Sequence, residues 1–318
     1  MTSALLVPRL AGLAAAGVTL LGLASLAAGL ARLSPWFDLA THFRPHYVIA
    51  GLAACAVLAL AGWWRWALLA VVLLAWHATL VWPYVVAKRL PARAAANGQL
   101  CVFHANVLSS NRQIAALVEL IRQVDADIVF LQEVNAEWVA GISELDAIYP
   151  HRLVVPRSDN FGIAAYSRRP GSALQRIDLT PASTPSIAVT APVDGTAVRL
   201  LSSHPTAPVG ATRSRQRNAQ LAAIAALAAT WPRHKLVIGD LNVSPWSPYF
   251  RDLVATAELR DSRREHGLAP TWPAAWSALG IPIDHALAGD GLALLAFETL
   301  RVAGSDHRAV VTQWQIQK

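Results

Sequence analysis

Residues 236–245 read Leu-Val-Ile-Gly-Asp-Leu-Asn-Val-Ser-Pro. The first four, 236–239, have the length and apolarity of a buried strand. Gly, Asp and Asn then end it, as turn formers do. In α/β proteins, polar residues at a strand end are where sites are built. Asp240 and Asn242 therefore pose two questions: whether the surrounding chain is α/β, and whether other strand ends carry matching residues.

The chain around this stretch answers the first. Residues 100–106, 127–131 (DIVFL), 162–167, 198–203 and 310–316 also read as strands. Residues 111–124 place Ile114, Leu117, Val118 and Ile121 on one helical face, and 213–229 form an Ala-rich helix. There is no internal repeat and no low-complexity tract. From residue 99 onward the pattern is α/β.

Upstream the composition changes. The 318 residues are 54% hydrophobic and only 15% charged, against roughly 25% charged in soluble domains. Residues 1–97 hold seven Lys/Arg against Asp38 alone, a net of +6, whereas residues 98–318 hold 20 basic and 19 acidic residues, a net of +1. A protein living on phosphate neutralisation would carry its excess charge on the folded domain, and here it does not. The apolar content excludes disorder. Two cysteines, Cys55 inside an apolar run and Cys101, make no disulfide scaffold.

Three apolar runs explain the first part: 10–30, 47–62 extended to 64 by Trp63 and Trp64, and 66–87. A span needs about 20 residues. A cleaved leader would account for the first run but not for the two that follow. Residues 1–90 are thus expected to be a transmembrane region of three helices in contact with the lipid bilayer, 91–98 (PARAAANG) a linker, and 99–318 the soluble domain.

Polar residues sit at several strand ends: Asn106, Glu133, Asn160, His204, Asp240 with Asn242, Asp284, and Asp306 with His307. Each alone has an ordinary explanation as a turn or solvated residue. Together, LQEV at 131–134, SSHP at 202–205, GDLNVSP at 239–245, IDHAL at 283–287 and SDHRAV at 305–310 resemble, in this order, the motifs of the endonuclease/exonuclease/phosphatase superfamily. NFGIAAYSR at 160–168 resembles that family's central strand. The resemblance covers about residues 100–318.

That resemblance implies a four-layer α/β sandwich, two packed central sheets flanked by helices, with a site at one edge that hydrolyses phosphate esters with Mg²⁺ or Mn²⁺. By the matching motifs, Glu133, Asn106 and Asp306 would lie at the metal. Asp240 would orient or deprotonate the attacking water, Asn242 and His204 would contact the phosphoryl group, and Asp284 would orient His307 beside it. Asn160 is a weaker substrate contact. The residue types suit the chemistry: hard carboxylate oxygens hold Mg²⁺ while leaving room for phosphate, and a carboxylate behind a histidine fixes its tautomer. His104 and His285 are read as core or loop histidines.

The substrate stays open among lipid headgroups, small phosphoesters and nucleic acid, and no protein partner follows from the sequence. Leu108, Val134 and Asn135 replace the acid and the Thr-Lys pair usual in apurinic endonucleases, which lowers that reading. The 213–217 stretch (RSRQR) suggests an anion-binding rim led by Arg213, against the alternative of a solvated helix face. Trp246, Trp272 and Trp276 would line a groove or pack in the core. GDLNVSPWS resembles a bacterial membrane-anchored branch whose domain faces out of the cytoplasm. That places the chain in the inner membrane with an extracytoplasmic domain, although the positive-inside count favours the opposite side. Three readings remain: a membrane-tethered phosphoesterase, a membrane-anchored nuclease, and a catalytically silent scaffold.

Overall fold

The computed structural model describes residues 3–86, 98–264 and 266–317, and the chain forms two compact units, 1–86 with 246–248 and 87–245 with 249–318. Residues 91–97 of the expected linker lie outside the described residues.

In the first unit, α1 (Ser3–Gly29), α3 (Arg44–Leu60) and α4 (Trp64–Val81) follow the apolar runs, and α2 (Pro35–Thr41) lies between the first run and the second. Small and branched residues, among them Ala15, Val18, Leu58, Ala67 and Ala70, bring the helices together. Leu13, Leu20, Leu52 and Leu68 face outward, a surface that suits hydrocarbon better than water. Leu6–Gly29 and Trp64–Tyr84 are each long and apolar enough to cross a membrane. The expected middle span, 47–64, falls mainly on α3, which is too short to count alone and joins α2 at a 64° bend, so among the described residues there are two such helices, or three if the bent pair α2–α3 counts as one span.

The described residues of the second unit form twelve strands and four α-helices. They are β1 (Gln99–Asn106), α5 (Ile114–Val124), β2 (Ile128–Gln132), α6 (Ala136–Gly141), β3 (His151–Val155), β4 (Ile163–Ser167), β5 (Ala173–Ile177), β6 (Ser186–Val193), β7 (Thr196–Ser203), α7 (Gly210–Ala229), β8 (Lys235–Asp240), α8 (Pro248–Thr256), β9 (Arg260–Asp261), β10 (Asp284–Ala288), β11 (Leu292–Arg301) and β12 (Arg308–Ile316). They form two mixed six-stranded sheets, ordered β11-β12-β1-β2-β4-β3 and β5-β6-β7-β8-β10-β9.

The alternation of strand side chains sorts the core into layers. Leu100, Val102, Ile128, Phe130, Leu200, Leu236, Ile238 and Ala286 fill the space between the sheets. Their odd or even neighbours point outward. Phe103, Val129 and Leu131 meet Leu117, Val118 and Ile121 of α5, and Leu201, Val237 and Leu287 meet Leu221, Ile224 and Ala228 of α7. Burying each such side chain contributes about 1.5–3 kcal/mol. This is the expected four-layer sandwich. Six of the twelve strands among the described residues coincide with those expected from the sequence, and α5 begins at Ile114, later than the expected 111. Asn111 is not helical: its side-chain oxygen accepts the Gln113 N–H and its amide donates to the carbonyls of Val107 and Ala303.

Candidate active site

The inter-sheet alternation does not stop where the apolar residues end. On β1 it runs from Leu100 and Val102 to His104 and Asn106, and on β2 from Ile128 and Phe130 to Gln132. On β8 it passes through Leu236 and Ile238 to Asp240, and on β10 it begins at Asp284 before Ala286. At one end of the sandwich the facing positions thus turn polar together. Glu133 breaks the alternation. Its φ of 65° lies in the left-handed region, which costs a non-glycine residue energy and recurs at functional sites. That turn places Glu133 beside Asn106 instead of in the outer layer.

Asp240 and Asp284 are direct partners across the antiparallel β8–β10 pair. Like charges opposite one another destabilise a sheet, so both must be compensated. Asp284, fully buried, accepts His307 Nδ1 at 2.9 Å on one oxygen and His104 Nε2 at 3.1 Å on the other. Burial pushes the Asp284 carboxyl up, but the two imidazoles outweigh it and hold it well below the usual carboxylate range. Burial likewise pushes His307 down. The charges of Asp284 and Asp240, the Asp284 hydrogen bond and Asp306 overcome this and raise it to about 10.

Four nitrogens converge on Asp240 Oδ2: Asn106 Nδ2 at 3.3 Å, His204 Nε2 at 3.4 Å, Asn242 Nδ2 at 3.5 Å and His307 Nε2 at 3.7 Å. All are longer than an ideal bond. The other oxygen accepts the Asn242 backbone N–H at 2.9 Å. Gln132 locks this strand end from the opposite sheet, accepting the Asp240 N–H at 2.9 Å and donating to Ser203 O at 2.9 Å. Gly239 makes room for it, since a Cβ there would lie 2.5 Å from Gln132 Nε2 and 2.3 Å from Ser203 O.

On the other side Glu133 accepts Asn106 Nδ2 at 3.0 Å on Oε1, and the Ser109 N–H and hydroxyl on Oε2. Ser305 joins the neighbouring loop to β1, its hydroxyl donating to Asn106 O at 2.8 Å and accepting the His307 N–H. Asp306 is exposed, and its Oδ2 accepts Trp272 Nε1 at 2.9 Å.

The sequence-derived set thus comes together: Asn106, Glu133, His204, Asp240, Asn242, Asp284 and His307 form one connected cluster, with Asp306 at its edge. Asn160 is exposed and adjacent to Phe161, whose ring lies 5.2 Å from that of His204. Arg213 is exposed on the first turn of α7. Arg217, grouped with it in the sequence, is buried and donates to Asn242 O at 2.9 Å, so it supports the site's backbone and is no part of a rim. His104 is a correction, because it belongs to the cluster. Its period-two relation to Asn106 carries that information. His285 stays apart on the outer face of β10, bonded to Val243 O and Arg263. Trp246 is buried, whereas Trp272 and Trp276 are exposed.

Two donor sets present themselves for a cation. One oxygen of Asp240, one of Asp284 and one nitrogen of His307 lie within 4.8 Å of one another. Yet both Asp284 oxygens already receive imidazole N–H groups, which commits that carboxylate to orienting histidines. Glu133, Asn106 and Asp306 carry the hard oxygen donors a small divalent ion takes. Their oxygens are engaged too, Glu133 with Asn106 Nδ2 and Ser109, Asn106 Oδ1 with the Leu108 N–H and Asp306 Oδ2 with Trp272 Nε1, but by neutral donors that an ion can displace, so these residue types suit the ion.

A family model described as Endonuclease/Exonuclease/phosphatase family matches residues 97–307, and the chain belongs to that family. Among solved structures, the chain is similar to an endonuclease/exonuclease/phosphatase from Beutenbergia cavernae DSM 12333, at 21% identity and a TM-score of 0.57 over 70% of this chain and 72% of that one. It is also similar to D. rerio TDP2 complexed with single strand DNA product, at 16% identity and 0.55 over 69% and 100%. A third likeness is to sphingomyelinase C from Streptomyces griseocarneus, at 18% and 0.50 over 68% and 99%. No curated protein matches the chain.

Proposed function

We propose that the chain is a membrane-anchored, divalent-metal-dependent phosphoesterase that cleaves phosphodiesters or phosphomonoesters by in-line attack of water. The observation that carries this is the convergence of four nitrogens from both sheets on one oxygen of Asp240. Asp240 holds the attacking water and takes its proton. Asn242 and His204 donate to the phosphoryl oxygens, their present bonds to Asp240 being long enough to yield to a better acceptor. His307, kept cationic by Asp284, neutralises charge that builds on those oxygens. His104 fixes Asp284 from the other side. Glu133, Asn106 and Asp306 would hold Mg²⁺ or Mn²⁺, and an ion there supplies Lewis acidity toward the phosphoryl group. Asn160 and Arg213 are the outer substrate contacts.

In this reading residues 1–90 are the anchor, 91–98 the linker and 99–318 the catalytic domain, extracytoplasmic on the inner membrane as the bacterial branch resemblance implies. The completeness of the cluster argues against a catalytically silent scaffold.

The test is hydrolysis of bis(p-nitrophenyl) phosphate by the full-length chain with Mg²⁺ or Mn²⁺, with EDTA as control and plasmid nicking alongside. Turnover that disappears with EDTA, and in Asp240→Ala and His307→Ala, is expected. Activity retained in both variants overturns the assignment, and metal-dependent nicking of plasmid would make the chain a nuclease.

A further inference from the structure

The second unit hides its large apolar side chains well. Among its described residues four are exposed: Val209 (72%), Trp276 (66%), Leu279 (55%) and Trp272 (38%). Single exposed apolar residues are ordinary, but these four lie on two segments, both tied to the site. Residues 205–209 follow His204, and Asn242 Nδ2 donates to Pro205 O at 3.0 Å. Residues 272–279 are fastened to Asp306 by Trp272 Nε1 at 2.9 Å and by the Ala274 N–H on its carbonyl at 2.7 Å. Thr271, just before them, accepts the Asp284 N–H. Exposed apolar surface confined to the rim of a reactive site marks an interaction face.

The composition of the rim says what it meets. Tryptophan favours the bilayer interface and leucine or valine its acyl boundary, while Arg213 and Arg215, exposed on the helix turns after Val209, suit a layer of phosphates. A nucleic-acid face would need a basic surface, and residues 98–318 carry a net of only +1. The partner is also supplied by the chain. The other exposed large apolar side chains all lie within residues 6–86, where two helices are long enough to cross a membrane.

We propose that this rim seats in the interfacial layer of a lipid bilayer, and that the ester delivered to the site is the phosphodiester headgroup linkage of a membrane phospholipid. The inference rests on the phosphoesterase reading above. Water oxygen bonds to phosphorus, one P–O ester bond breaks with its electron pair staying on the departing alcohol oxygen, and a proton from the water ends on that oxygen.

The test uses the full-length chain in vesicles of phosphatidylethanolamine and phosphatidylglycerol, with bis(p-nitrophenyl) phosphate as the soluble comparison. Trp276→Ser combined with Leu279→Ser is expected to cut phospholipid hydrolysis at least tenfold with soluble-ester turnover unchanged, and Phe at both positions to restore it. Should the Ser pair lose soluble turnover as well, Val209→Ser on the other segment repeats the comparison. Equal phospholipid turnover by wild type and a soluble-active rim variant overturns the rim. Turnover of soluble esters or single-stranded DNA by wild type, without phospholipid, overturns the substrate class and leaves the phosphoesterase reading standing. No turnover of any substrate with either metal defeats that reading, and this inference falls with it.

Discussion

The two sheets of the second unit follow one pairing scheme: antiparallel, antiparallel, parallel, antiparallel, antiparallel. In that scheme β1 answers to β7, β2 to β8 and β4 to β10. The same register position is filled very differently. In the first sheet it pairs Gln132 with Ile163, and in the second Asp240 with Asp284. The amide costs the fold little and reaches across to hold the backbone of Asp240. The paired acids would repel, and they persist because the first sheet supplies compensating partners: His307 reaches both acids and His104 hydrogen-bonds Asp284. One backbone plan thus gives a half with an uncharged pair at this position and a half with two acids, the holding and the reacting half of the proposed mechanism.

The comparison predicts where substitutions do most harm. Asp240→Asn keeps the shape and removes the proton acceptor from the reacting half. A fall in kcat of about 10²–10⁴-fold is expected, the range for a positioned base, with the fold intact by circular dichroism. A loss below tenfold would show that the second sheet's charge is structural. Glu133→Gln acts on the holding half. Its effect should be smaller at saturating metal, with the Mg²⁺ needed for half-maximal rate raised at least about 10–100-fold, the loss seen even for outer-shell partners. A metal requirement left unchanged would move the ion to the second sheet.

His104→Gln tests the join. The glutamine can still donate to Asp284, so the cluster keeps a bond, while His104→Ala leaves that carboxylate oxygen without its partner. A hydrogen bond to a charged group is worth about 1.5–3 kcal/mol, so the alanine variant should lose about tenfold or more in kcat with KM little changed, and glutamine should recover most of it. Equal losses in both would mean that only the ring's volume matters.

Much of this was legible beforehand, and the exceptions have physical causes. The GDLN and SDH stretches carry local turn chemistry, so Asp240, Asn242, Asp306 and His307 stand out in the sequence. β3, β5 and β11 were missed because their residues are mostly partly exposed and lack a clean alternation. His104 was passed over because a lone histidine in an apolar strand reads as core. What brings it into the cluster is Asp284, 180 positions away. Arg217 sits in a basic run like its exposed neighbours, and only the fold turns it inward.

The mildest expected effect separates the two faces of one strand. Asp284 faces between the sheets with the cationic His307, and the next residue, His285, faces outward under opposite rules. Its Nδ1 faces an Arg263 guanidinium, which can only donate, and its Nε2 lies 2.8 Å from the Val243 carbonyl, so the ring is neutral with the proton on Nε2. Burial first, then the charge of Arg263, lower its pKa to about 3. A folded value below the unfolded 6.5 or so means that the unfolded chain binds the extra proton first. Stability is therefore full above about 6.5 and falls as pH drops from there toward 3, with a slope of at most about 1.4 kcal/mol per pH unit from this group. Denaturant midpoints of the full chain, taken in EDTA across that window, should flatten in His285→Gln. An unchanged slope would show that the outer face of β10 does not exclude charge, and that the contrast between its two faces lies in the carboxylates alone.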